Sequence, residues 1–110
     1  MAMLPIYDPA RSFDSASLTA SYQDVGAVMG SPVYAFWIHN GSSVAVQVSF
    51  NDGDTDGPIV AAGESFNDRR SNWDGRTEDG RYCLPKNAQI QIKQVTAAGT
   101  GSIYVNIKRV

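Results

Sequence analysis

Several things are scarce in this chain, and each shortage removes a class of function. There is one cysteine, Cys83, so no intrachain disulfide can form. Flanked by Tyr82 and Leu84, it reads as a small buried hydrophobe, not a nucleophile. There is one histidine, His39, at the end of an apolar stretch, with no Gly-x-Ser-x-Gly or comparable nucleophile motif anywhere. The carboxylates fall mostly in turns, where Asp bonds nearby backbone amides, and a chain of 110 residues leaves little room for a cleft between two of them. Catalysis is therefore not expected. Net charge is −2, from 9 basic and 11 acidic residues, which gives no footprint for nucleic acid or an anionic membrane. No apolar run approaches the roughly 20 residues of a membrane span. The start, Met1-Ala2-Met3-Leu4-Pro5, has neither the basic nor the long apolar region of a secretory signal, so assembly in a cytoplasm is expected.

Helical periodicity is nearly absent too, whereas alternation with a period of two recurs between turn residues. Val44, Val46, Val48 and Phe50 share one face of a strand. In Val33–His39, Tyr34, Phe36 and Ile38 alternate with Val33, Ala35 and Trp37. Asn40-Gly41-Ser42-Ser43 lies between these two runs, and Asn-Gly favours a tight hairpin, so the two strands are predicted to pair. A second predicted hairpin joins Ala88–Val95 (Ile90 and Ile92 inward) to Ser102–Lys108 (Ile103, Val105 and Ile107 inward) through the small-residue loop 96–101. Shorter strands are expected at Leu18–Val25, Ile59–Ala62 and Arg81–Leu84. About seven short strands with one polar and one apolar face predict a single all-β domain, an antiparallel sandwich or jelly-roll-like fold, over residues 17–110.

Two stretches fall outside that pattern. Residues 1–16 contain Pro5 and Pro9 and few periodic apolar positions, which predicts an extended N-terminal arm. Its apolar residues Leu4, Ile6, Tyr7 and Phe13 are candidate partner contacts, because an arm can add to a neighbour's sheet edge. Burying one such side chain contributes roughly 1.5–3 kcal/mol, repeated over every copy in a ring. Residues 64–80 form a long polar loop, and loops of that length usually bind something or stay disordered. Phe66, Arg69, Arg70, Trp73 and Arg76 give it the aromatic and arginine composition of interface hot spots. The competing reading folds Trp73 back over the edge of the sandwich.

The sharpest metal motif is Asp52-Gly53-Asp54-Thr55-Asp56-Gly57. It opens like a calcium loop, with Asp52, Asp54 and Asp56 as candidate ligands for Ca2+. The twelfth position is Gly63, however, and Pro58 follows at once, which favours a solvated turn. No other cofactor motif is present. Exposed aromatics leave a carbohydrate-binding or receptor-binding module as an alternative function, with Trp73 as its candidate platform.

The order of these features resembles the small β-sandwich virion proteins of tailed bacteriophages. It runs from Leu18–Asp24 through Val33–His39, Asn40-Gly41, Val44–Phe50 and an Asp/Gly turn to Val60-Ala61-Ala62-Gly63-Glu64. Cys83-Leu84-Pro85-Lys86, Ala88–Val95 and the terminal Gly101–Lys108 strand complete it. The resemblance covers roughly residues 17–110. It implies a non-enzymatic structural subunit of a virion, in capsid decoration or a head-to-tail connector, collar or tail assembly. The implied partners are other virion proteins and copies of itself in a ring or lattice, with neither nucleic acid nor membrane bound.

Overall fold

The computed structural model describes residues 6–51, 53–69 and 83–109. Among the described residues nine strands form: β1 (Ile6–Tyr7), β2 (Arg11–Asp14), β3 (Gln23–Asp24), β4 (Val33–Asn40), β5 (Val46–Ser49), β6 (Ile59–Val60), β7 (Ser65–Arg69), β8 (Gln91–Gln94) and β9 (Ser102–Arg109). One 3₁₀ turn, Ser15–Ser17, follows β2, with the Asp14 carboxylate accepting from the Ala16 amide at 3.0 Å. The fold is an all-β sandwich, as expected, and its strands lie in two antiparallel sheets. The larger runs β1–β9–β4–β7, with β2 also on β9 beyond β1. The smaller runs β3–β8–β5–β6. When β1 and β2 are counted as one interrupted strand, the chain winds between the sheets as a jelly roll does.

Burial follows the period-two pattern. Phe36 and Ile38 of β4, Ile103, Val105 and Ile107 of β9, Val46 and Val48 of β5, and Ile92 of β8 with Ile90 just before it meet in one core. Val25, Met29, Leu18 and Leu84 close its ends. The large alternating faces are thus inward as the sequence indicates. A bulge between Val33 and Ala35 shifts the register against β9, which lets Val33 join the core although it precedes the inward run by an odd step.

Both predicted hairpins are overturned. β4 pairs with β7 and β9, and β5 with β6 and β8, so residues 41–45 cross from one sheet to the other. The 95–101 connection does the same between β8 and β9. Gly41 does not adopt the positive φ that an Asn-Gly hairpin turn requires. It provides room instead. A Cβ there would sit 2.9 Å from the Ser102 carbonyl oxygen, and one on Gly101 (φ +88°) would sit 2.6 Å from that of Gly41. The two crossings are packed backbone to backbone, with the Ser43 amide donating to Thr100 at 2.9 Å.

Asn40 holds the first crossing. Its side chain is fully buried at an inward position. Nδ2 donates to the Val44 and Val60 carbonyls at 2.8 and 2.9 Å, and Oδ1 accepts from the amide and hydroxyl of Ser42 at 3.0 and 2.5 Å. A buried amide with every bond made is stabilising, and the same amide with bonds missing would be costly. The local sequence therefore bends the chain out of one sheet and into the other.

The expected arm and loop also differ from expectation. Residues 6–14 lie along β9 as the edge of the larger sheet, interrupted at Pro9, which has no amide to give. Residues 65–69 of the expected loop are β7, paired with β4. Of the short expected strands, 18–25 contributes only β3 and 59–62 only β6. From 81–84, Leu84 makes a single bridge to Val33, and Arg81 and Tyr82 lie outside the described residues.

Candidate functional site

The N-terminal edge is held by ion pairing and by an arginine that spans the sheets. Arg109 donates from Nε to Asp8 Oδ1 at 2.6 Å, beside the Asp8 amide bond to Ile107. Arg11 stands opposite Val105, on the inward side of the edge. Its Nη1 donates to the Ala27 and Val25 carbonyls at 2.6 and 3.2 Å, tying the larger sheet to a loop of the smaller one. Burial lowers the Arg11 pKa, an effect that nearby Asp8 opposes. Ile6 and Tyr7 stay open, at 46% and 65% exposure. No described strand pairs with the outer side of this edge.

The predicted contact residues separate into groups. Ile6 and Tyr7 are exposed edge residues. Phe13, opposite Ile103, packs against the core. Phe66 is half-buried and also packs against the core. Its ring lies 6.1 Å from Phe36 and 6.3 Å from Phe50, and those two are 5.1 Å apart. Arg69 ends β7, and Leu4, Arg70, Trp73 and Arg76 lie outside the described residues.

The outward face of the larger sheet is legible in the alternation, though no sequence motif singles it out. Register places Ser12, Tyr104, His39 and Ser65 in one row across it. Asn106, Trp37 and Asn67 form the next, and Tyr7, Lys108 and the buried Ala35 the one after. Trp37 is 36% and Tyr104 43% exposed. His39 Nδ1 lies 2.8 Å from Ser65 Oγ, and among the described residues no carboxylate bonds to it. Cys83 packs at the core margin, with Sγ 2.8 Å from the Tyr34 carbonyl oxygen.

The Asp-rich turn is organised from within. Asn51 Oδ1 accepts from the Thr55 amide at 3.0 Å, Asn51 Nδ2 donates to Thr55 Oγ1 at 2.7 Å, and Ser49 Oγ accepts from the Gly53 amide at 3.0 Å. Asp56 accepts from the Tyr22 hydroxyl and lies 3.4 Å from Lys93 Nζ, which itself sits 4.7 Å above the Tyr22 ring. The Tyr22 bond, more than Lys93, holds the Asp56 pKa below the ordinary carboxylate value. Tyr22 is pushed up to about 12, first by burial and then by its bond to Asp56. Asp54 is exposed, Asp52 lies outside the described residues, and no three potential ligands converge among those described. Nearby, an open groove of about 470 Å³ passes between residues 24–28 and 85–89 over Phe50.

No protein-family model and no curated protein matches the chain. Among solved structures, the fold is similar to that of a protein described under the words "Bacillus endospore appendages form a novel family of disulfide-linked pili". That alignment has a TM-score of 0.52 and 18% identity and covers 96% of this chain and 88% of the other.

Proposed function

We propose that this chain is a non-enzymatic structural subunit that packs against copies of itself, and that the particle it builds is a phage virion assembled in the bacterial cytoplasm. The observation carrying the reading is the edge at residues 6–14, whose outer backbone is unpartnered among the described strands and whose Ile6 and Tyr7 are exposed. Such an edge is a template for β-sheet addition. The likeness to an appendage protein supports assembly as the working mode, and jelly rolls recur in capsid domains. The disulfide linkage in that appendage's description would have a single, half-buried thiol to use here. Backbone pairing and apolar contact are the better-supported means of cohesion.

In this reading, one contact region is the N-terminal edge with Leu4, Ile6 and Tyr7. The other is the end of β7 and the segment after it, with Arg69, Arg70, Trp73 and Arg76. Sedimentation and native mass measurement should give one closed ring or a lattice fragment, and Ile6→Asp with Tyr7→Asp should shift it to monomer. A monomer at all concentrations would overturn the assembly reading. Absence of the chain from purified particles of a phage encoding it would overturn the virion reading.

A further inference from the structure

The two central rows on the outer face of the larger sheet hold Ser12, Tyr104, His39, Ser65, Asn106, Trp37 and Asn67, without one Asp, Glu, Lys or Arg. All seven are exposed. Trp37 pairs with Asn106, and Tyr104 with His39 on the next step, so the two rings occupy diagonal positions. Diagonal positions lie about 7–8 Å apart in a sheet, within reach of aromatic side chains. Amides and hydroxyls that both donate and accept surround them.

This chemistry suits a sugar better than a protein. The flat C–H face of a pyranose stacks on an aromatic ring, and its equatorial hydroxyls need uncharged groups that give and take hydrogen bonds. The core of a protein interface, by contrast, is apolar and poor in serine, while this face carries two serines and two asparagines. A charged partner would find no counter-charge in these rows. A flat, uncharged sheet surface also matches an extended ligand more than a compact one, which would need a concave site.

We infer that this face is a glycan-binding platform on which Trp37 and Tyr104 stack a neutral β-linked polysaccharide while Asn67, Asn106 and His39 bond its hydroxyls. The inference is independent of the assembly reading, since neither ring lies on the N-terminal edge. Calorimetric titration of the full chain with cellohexaose and chitohexaose should show binding to at least one. Trp37→Ala should weaken it by about tenfold, the upper range for one stacking contact. Tyr104→Ala should weaken it similarly, and Trp37→Phe should largely retain it. Melting curves check that each variant folds. Binding by neither oligosaccharide, or binding indifferent to both Trp37→Ala and Tyr104→Ala, would overturn the inference. So would a drop in assembly mass on Trp37→Ala without glycan binding, because the face would then be covered by a second copy.

Discussion

The two sheets share one core and differ in almost everything else. On the inside they are equivalent: β4 and β9 supply Phe36, Ile38, Ile103, Val105 and Ile107, while the smaller sheet and its flanks supply Val46, Val48, Ile90 and Ile92. On the outside, the larger sheet has two strands of eight residues, β4 and β9, which present Trp37 and Tyr104 among uncharged polar residues. The smaller has strands of two to four residues and an outer cluster of Tyr22, Lys93 and Asp56 that fastens a turn. Apart from Asn40 and Arg11, which are held by hydrogen bonds, the inward residues named here are constrained by packing, so they look alike in both sheets. Outward residues are free to differ, and that is where function can be sought.

The sharpest way to break that comparison is to exchange inside for outside. Phe36→Ala removes the ring shared by Phe50 and Phe66 and should cost about 3–5 kcal/mol in urea unfolding. Its neighbour Trp37→Ala should stay within about 0.5 kcal/mol. Equal losses would mean that Trp37 is part of the packing. A smaller effect is expected at the junction of the sheets. Asn40→Ala removes the side-chain donor to the Val60 carbonyl and the acceptor of the Ser42 amide, leaves Val44 only its bond from Ser42 Oγ, and should cost about 2–3 kcal/mol, with Asn40→Asp also destabilising because the Nδ2 donor is lost.

The smallest effect belongs to the outer cluster of the smaller sheet. Tyr22, raised to about 12 against an ordinary value near 10, contributes stability that is complete below pH ~10 and is lost as pH rises toward 12. Asp56, lowered, contributes stability present above the ordinary carboxylate value near 4 and lost as pH falls through its folded-state value. Tyr22→Phe should therefore lower Tm slightly at pH 7, and its difference from the parent should shrink at both pH 2 and pH 12. A difference constant with pH would show that the hydroxyl–carboxylate bond does not contribute.

Which residues face inward was legible where the strands alternate, as over Phe36–Asn40 and Ile103–Ile107, but not at Val33, where the bulge breaks the alternation. Which strand pairs with which was not. Neighbouring strands usually pair, and Asn40-Gly41 invites a hairpin, but an inward period that runs 34, 36, 38 and then 40 places a polar residue in the core. That buried Asn40 was the available sign of a crossing. Phe66 was hidden because Ser65, Asn67, Asp68 and Arg69 around it show no apolar alternation, and its burial depends on Phe36 and Phe50 far along the chain. In the N-terminal segment, Arg11 took the inward position where an apolar residue would have announced a strand. The outer-face platform was visible as Trp37 and Tyr104 opposite the core positions. Its continuity across β2, β9, β4 and β7 needed the register.

The central place of β9 has a consequence for how the chain is made. β1 and β2 pair only with the stretch 102–109 among the described strands, and β4 pairs with it along one side, although that stretch is translated after all three. On the ribosome, β5 can pair with β6 and β4 with β7 early, but β1 and β2 must wait for β9 to join them to the rest of the larger sheet. Contacts this distant in sequence slow folding and expose the nascent chain to aggregation. Truncation before residue 102 should therefore leave the larger sheet without the strand that joins its halves.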